Sequence, residues 1–322
     1  MKVLGRTPAM FHALVVLSGA CTISCLASDT LPVTVTTRAD LGRVEVRIGD
    51  GLFTAYCYGP EFRQKPVLYP LLSPGGNPVN RELPFIDEAT PETRDHPHQQ
   101  SLFFGYGDVN GLDFWSHAHG EHMVHRSLIL AESGAESGVI EILADWVDGA
   151  DKTVLQEHRF MRFGGDSRRR WIDFQAWLVS LADALTFHDT KEGFFALRLA
   201  DALREGDGTG RYRNAFGRES EAQIWGRRSP WVALTGVVNG ERVTVAIFEL
   251  PDSLRHPTYW HARAYGLFAA NPLGRKDFAP GREPIELRVQ PGESLHFHYR
   301  VVVYTGEVEP LALDEDYQDL IR

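Results

Sequence analysis

The stretch Asp95-His96-Pro97-His98 sets two imidazoles on either side of a proline. In an extended segment His96 and His98 point to the same side, and the proline favours that extended form at the residue before it. Two histidines at i and i+2 are what a β-built metal site offers a third ligand. They equally suit proton transfer near neutrality. The bland reading is one imidazole donating to a carbonyl and one in water. A second constellation is Pro257 to Pro272, PTYWHARAYGLFAANP. Read as a strand, it puts His261, Arg263 and Tyr265 on one face. That face offers a proton carrier, a forked anion clamp and a phenol whose pKa a neighbouring cation can lower. Trp260, of opposite parity, offers a flat surface for a sugar ring, and Asn271 opens the turn that follows.

A third stretch, KEGFFALRLA, holds Lys191, Glu192 and Arg198. Lys191 or Glu192 at a strand start could face a cleft and touch substrate, and a surface ion pair between Glu192 and Arg198 explains the same pattern. A fourth, SHAHGEHMVH, contains His117, His119, Glu121 and His122. Its spacing is not that of a helical zinc motif, and we read it as a polar, glycine-bent hairpin. His125, His158, His296 and His298 read as solvated strand positions. No phosphate-cradling glycine loop and no strand-turn-helix nucleophile elbow is present, which argues against nucleotide and serine-hydrolase chemistry.

The elements that must position these groups are strands. Period-2 alternation recurs in VTVTTR, GRVEVRIG, GVIEILADWV, TVLQEHRFMRF, RWIDFQAWLVS, ERVTVAIFEL and SLHFHYRVVVY. In the last, Leu295, Phe297, Tyr299, Val301 and Val303 face one way and His296, His298 and Arg300 the other. This pattern predicts an all-β fold, a large antiparallel two-sheet sandwich. A helix is expected only near the C-terminus, around DEDYQDLIR. Two long irregular stretches, Pro70 to Gln100 and Ala202 to Ser229, interrupt the strands, and loops of that length often carry function.

The 322 residues are 43% hydrophobic and 24% charged, enough to bury a substantial core. A formal net charge of −10 excludes ordinary nucleic-acid binding, which needs cations to displace counterions. Residues 1–27 read as an export signal: Lys2 and Arg6, then an apolar run, then Cys25-Leu26-Ala27 before Ser28. Anchoring through Cys21 is a weaker reading, because SGAC lacks the aliphatic residue wanted three places earlier. Residues 28–322 are expected to form a single domain, exported to the periplasm or beyond, with no membrane-spanning segment. With Cys21 and Cys25 in the signal, Cys57 alone remains, and between aromatic residues it reads as a buried small hydrophobe.

Four stretches, DHPHQQSLFFGYGDVNGLDFW, KEGFFALRLA, WGRRSPWVALTG and HPTYWHARAYGLFAANPLG, together resemble the exported bacterial proteins labelled PmoA-like, or methane oxygenase PmoA. This chain reads Gln99, Gln100 and Phe103 where such proteins usually carry a histidine, an arginine and a tryptophan. The label does not translate into methane oxidation, because the integral oxygenase subunit of that name is a bundle of membrane helices. The resemblance implies a family of essentially unknown function, associated with carbohydrate metabolism, and a sandwich like that of galactose mutarotases. The expected function is acid/base chemistry, lyase- or epimerase-like, on an oligosaccharide or sugar derivative. His96, His98, His261, Arg263 and Tyr265 would be catalytic; Trp260, Lys191, Glu192, Arg198 and Asn271 would bind substrate. No cofactor is required in that reading. One alternative is a copper or zinc centre on His96, His98 and His261. Another is a non-catalytic glycan-binding protein. The sequence sets no oligomeric state.

Overall fold

The computed structural model describes residues 30–62, 64–82, 84–85 and 91–322. The export segment with Cys21 and Cys25 lies outside them. In chain order, β1 (Val33–Arg38), β2 (Arg43–Ile48), β3 (Gly51–Cys57), β4 (Val67–Leu68) and β5 (Leu102–Tyr106) come first. The long strands β6 (His122–Glu132), β7 (Ser137–Val147), β8 (Thr153–Gly165) and β9 (Arg169–Val179) form a meander. Then come β10 (Leu185–His188), β11 (Gly193–Arg198), β12 (Arg211–Asn214), β13 (Trp231–Val238) and β14 (Glu241–Glu249). The last are β15 (Tyr259–Ala262), β16 (Leu267–Asn271), β17 (Glu286–Val289) and β18 (Ser294–Thr305).

The strands pair into two eight-stranded sheets and a two-stranded ribbon. The first sheet runs β1-β2-β3-β4-β5-β11-β16-β15, the second β12-β13-β14-β18-β9-β8-β7-β6, and β10 pairs with β17. Neighbouring strands are antiparallel throughout, as the alternating pattern requires. Alternation puts Leu295, Phe297, Tyr299, Val301 and Val303 of β18 into the core with Ile172, Phe174, Ala176 and Leu178 of β9. Aromatic rings span the gap: Phe195 of the first sheet stacks on Tyr299 of the second at 4.8 Å, and Phe104 meets Phe297 at 5.2 Å. Each such ring contributes about 1.5–3 kcal/mol by leaving water. The core also holds a buried ion pair, Arg159 to Glu157 at 2.6 Å, with the Trp146 indole donating to the same carboxylate.

The C-terminal helix α3 is longer than the expected segment, Pro310–Leu320 (the earlier helices are α1, Ser220–Ile224, and α2, Arg275–Phe278). Pro310 suits the first helical position because its missing N–H would be unpaired there anyway. Leu313 and Tyr317 of α3 cover Phe248, Val302 and Tyr304 on the outer face of the second sheet. The stretch Ala202 to Ser229 is not wholly irregular, since it contains β12 and α1. No helix among the described residues is long and apolar enough to cross a membrane.

Candidate functional site

The outer face of the first sheet is where the chemistry collects. Directly opposed residues share a face, and the register Cys57–Val67–Phe103–Ala196–Ala269–His261 runs straight across six strands. From Phe103 to His261 is three strand spacings, roughly 14 Å. Between them stand only two methyl groups, Ala196 and Ala269, so the floor is flat and the groups at either end rise above it. Both alanines are buried, so the side chains of the rim fold over them.

At one end Lys65 lies over the Phe103 ring, its Nζ 4.3 Å from the centroid, and donates to the Trp115 carbonyl at 2.8 Å. The amine is fully buried and, among the described residues, no carboxylate is bonded to it. Burial therefore pushes its pKa down to about 7, against the pull of Asp113. Among the described residues, two of its three protons face no acceptor. His98 and His117 stand close enough for the Lys65 charge to act on them, and burial first, then that charge, lowers them to about 4 and about 2.

At the other end, His261 on β15 is 1% exposed. Its Nδ1 lies 3.1 Å from the Lys191 carbonyl, and a carbonyl only accepts, so Nδ1 carries the proton. Nε2 is then a bare lone pair, buried and without a partner. Burial, with Arg263 adding a smaller push, lowers the imidazole to about 3, so it is a neutral base at physiological pH. His117 has the same form: Nδ1 bonds the Glu121 carbonyl at 2.9 Å and Nε2 is unpartnered. The indole nitrogens of Trp115 and of half-exposed Trp225, beside His261, also lack acceptors. Buried polar atoms are normally paired, but among the described residues this face also leaves Gln100 Oε1 and Arg198 Nε without a partner.

The third wall is a rigid network. Arg198, the residue two beyond Ala196 on the same face of β11, is fully buried. It donates to Asp95 at 2.6 Å and to Gln99 at 2.8 Å, and its guanidinium lies 4.8 Å from the Tyr265 ring. Arg81, also buried, holds the same Asp95 carboxylate at 2.8 Å and the carbonyls of His96 and Gln99. Asp95 in turn bonds His96 Nδ1 at 2.8 Å, and His96 stacks flat on Tyr265, centroids 4.8 Å apart and planes 5° apart. His96, Ser101 and His117 all adopt positive φ (45°, 52° and 58°), a conformation that costs a non-glycine residue of order 1 kcal/mol and persists only when the surroundings impose it.

Glu192 sits between the walls. Its Cβ would lie 2.9 Å from a Cβ on residue 107, so Gly107 is what lets it approach. Burial raises its carboxyl pKa, against Lys191, whose Nζ is 3.7 Å away, while Asp113 adds to the rise.

The two distant segments thus meet, through His96 on Tyr265, but not as the spacing predicts. β15 ends at Ala262, and residues 263–266 form a turn in which Gly266 takes φ 99°. Arg263 turns to Glu221 at 2.6 Å, an ion pair that occupies the expected anion clamp. Tyr265 is not acidified: burial raises its pKa, and its oxygen accepts from Gln99 at 3.3 Å. Trp260 is fully buried between the sheets, its indole donating to the Ser229 carbonyl at 2.9 Å, so no face of it is open to a sugar. Asn271 spends its amide on Thr190 O and Leu273 N, holding the loop rather than a ligand. Arg198 pairs with Asp95 and not with Glu192.

The metal alternative fails on distance. Among the described residues, the three-membered group with ligand atoms within 4.8 Å of one another is Asp252, His296 and His298. His96, His98 and His261 form no such group, and His96 is committed to Asp95. Cys57 is buried against Tyr69 O and pushed up to about 12 by burial, an inert thiol as its aromatic surroundings suggest. Lys65 escaped the sequence reading because a lysine before Pro66 carries no periodic signal. His117 was legible only as a hairpin residue.

Several solved structures match the chain at low identity and low structural similarity. The GH36 α-galactosidase AgaB from Geobacillus stearothermophilus is 12% identical with a TM-score of 0.45, covering 85% of this chain and 41% of its own. Galactose 1-epimerase from Lactobacillus acidophilus NCFM is 10% identical with a TM-score of 0.37, covering 86% and 100%. The GalM/aldose epimerase homologue from C. elegans is 9% identical with a TM-score of 0.34, covering 86% and 100%. The chain thus spans less than half the length of the galactosidase it matches. No curated protein matches the sequence significantly. Residues 43–318 match the family of unknown function DUF6807, and the chain belongs to that family.

Proposed function

We propose that the outer face of the first sheet binds a sugar derivative and moves a proton at a carbon next to its carbonyl or carboxylate. The observation that carries this reading is His261: a buried, neutral imidazole, oriented by the Lys191 carbonyl, with a free lone pair on Nε2. It is the base. Glu192, whose carboxyl is pushed toward its neutral form, returns the proton. Lys65 stands three strands away at the Phe103 end, where its amine would hold a distal anionic or hydroxyl group of the ligand, a binding role the tied Arg263 cannot fill. Trp115 and Trp225 supply N–H donors suited to hydroxyls. Tyr265, His96 and Arg198 hold the wall in place, and the half-exposed rim parts to admit the ring.

This assignment keeps the epimerase- or lyase-like reading of the sequence and moves its roles. The export-signal reading of residues 1–27 adds an exported setting, and the resemblance to PmoA-like proteins fits the same proposal. The test is proton exchange: incubate the chain in D2O with a panel of aldoses, keto sugars and uronic acids and follow deuterium entry by NMR. Exchange at one carbon, lost in His261→Asn and Glu192→Gln, is the expected result. Saturable binding with no exchange on any member would replace catalysis with glycan binding, and exchange unaltered in His261→Asn would remove the mechanism.

A further inference from the structure

The outer face of the second sheet carries a separate cluster that the proposed chemistry does not use. His296 and His298 lie on the solvent side of β18, directly opposite Trp177 and Gln175 of β9. Each imidazole is oriented from that neighbouring strand through Nε2. His298 Nε2 lies 2.8 Å from Asp173 Oδ1, and His296 Nε2 lies 3.3 Å from Gln175 Oε1. Asp173 is itself fixed by Arg300, and the His296 ring is held flat against Trp177 with centroids 4.6 Å apart. Both Nδ1 atoms are therefore turned toward the loop after β14, where His296 Nδ1 donates to the Asp252 backbone carbonyl at 3.2 Å and Asp252 also offers its carboxylate. Asp252 Oδ1 is 2.9 Å from His298 Nδ1, and Oδ2 is 3.8 Å from His296 Nδ1.

Two imidazoles whose far nitrogens are bonded, with near nitrogens converging on one carboxylate, have the layout of a carboxylate-buttressed metal site. A tetrahedral ion with bonds of 2.0–2.1 Å needs its ligand atoms roughly 3.3 Å apart. The three atoms here already lie within 4.8 Å of one another, with the Asp252 oxygens 2.9 and 3.8 Å from the two Nδ1 atoms, so a modest approach of the half-buried imidazoles closes the set. Two nitrogens and one oxygen suit zinc, nickel or copper over magnesium or calcium, whose sites are built from oxygens.

We propose that Asp252, His296 and His298 bind one divalent transition-metal ion, with Asp173 as the positioning residue behind His298. The ion takes the place of two protons, the one between His298 and Asp252 and the one that His296 Nδ1 donates to the Asp252 carbonyl, and solvent reaches the remaining position through the exposed loop.

The test is calorimetric titration of ZnCl2 and NiCl2 into the untagged full chain after EDTA treatment, with MgCl2 as comparison. One equivalent of zinc or nickel is expected, and none of magnesium. Asp252→Ala and His296→Ala should each weaken binding at least tenfold, and Asp173→Asn by about 10–100-fold. Asp252 is exposed, so its variant reports on binding even if a change at His298 unfolds the chain. The first-sheet variant His261→Gln should bind zinc unchanged, which keeps this site distinct from the sugar site. Absence of stoichiometric zinc and nickel binding, affinity unaffected by Asp252→Ala and His296→Ala, or binding lost in His261→Gln would overturn the proposal.

Discussion

Replacing His261 by Gln should make the protein markedly less sensitive to mild acid. The imidazole is 1% exposed and held down to about 3, chiefly by burial. An unfolded histidine has a pKa near 6.5. Between those values the unfolded chain takes up a proton that the folded chain refuses, so acid favours unfolding, and the loss grows as pH falls from about 6.5 toward 3. Going from pH 7 to pH 5, the unfolded imidazole passes from about one-quarter to almost fully protonated, while His261 stays neutral. Integrating that uptake gives a loss of about 2 kcal/mol from this one residue. The result hardly depends on how far below 5 the folded value lies. His117, similarly buried, adds a comparable loss to both proteins and cancels in the comparison. Glutamine has no proton to gain, so the drop in unfolding free energy between pH 7 and pH 5 should be about 2 kcal/mol smaller in the variant. Against a total stability of roughly 5–15 kcal/mol this is readily measured by urea titration at the two pH values. Identical pH dependence in the two proteins would mean that His261 is protonated in the folded state, and its role as a free base would go with it.

Other perturbations follow from the same geometry. Lys65→Met removes a buried amine that titrates near 7 in the folded chain and near 10.5 in the unfolded one. Stability of the parent should rise with pH between those values, and the variant's urea-melt profile should be flatter there while substrate binding weakens. Glu157→Leu leaves the Arg159 guanidinium unpaired in the core and should cost about 3–5 kcal/mol in chemical denaturation, although nothing at the sugar site changes. Asp95→Asn takes the shared partner from Arg81 and Arg198, so the His96–Tyr265 wall should loosen. Amide exchange across residues 93–99 should speed up, whereas Tyr265→Phe, which removes one acceptor for Gln99, should leave stability within about 1 kcal/mol.

How much of this was readable depends on whether a residue's fate is set locally. The alternation in SLHFHYRVVVY assigned Leu295 to Val303, apart from Val302, to the correct faces of β18, because a strand's two faces are fixed by covalent geometry alone. The same rule failed at His261, Arg263 and Tyr265, since the chain turns at Gly266 and parity ends where the strand does. Burial was harder still. Arg198 reads as a surface cation, yet it lies fully buried because Asp95 and Gln99, a hundred residues earlier, fold over it. Trp260 reads as a platform, yet the opposite sheet covers it.

By itself, then, the sequence determined that strands would form, which faces of the long ones would be apolar, that they would stack in two antiparallel layers, and that the His96 and His261 segments carry titratable groups. Those follow from period, composition and residue chemistry, which act over a few residues. The tertiary structure alone decided which imidazole keeps a free nitrogen, that Lys65 is stripped of water, that Arg263 is already paired, and that Asp252 faces two histidines from another strand. Such outcomes depend on desolvation and on partners far apart in the chain, and both come into being only when the two sheets close.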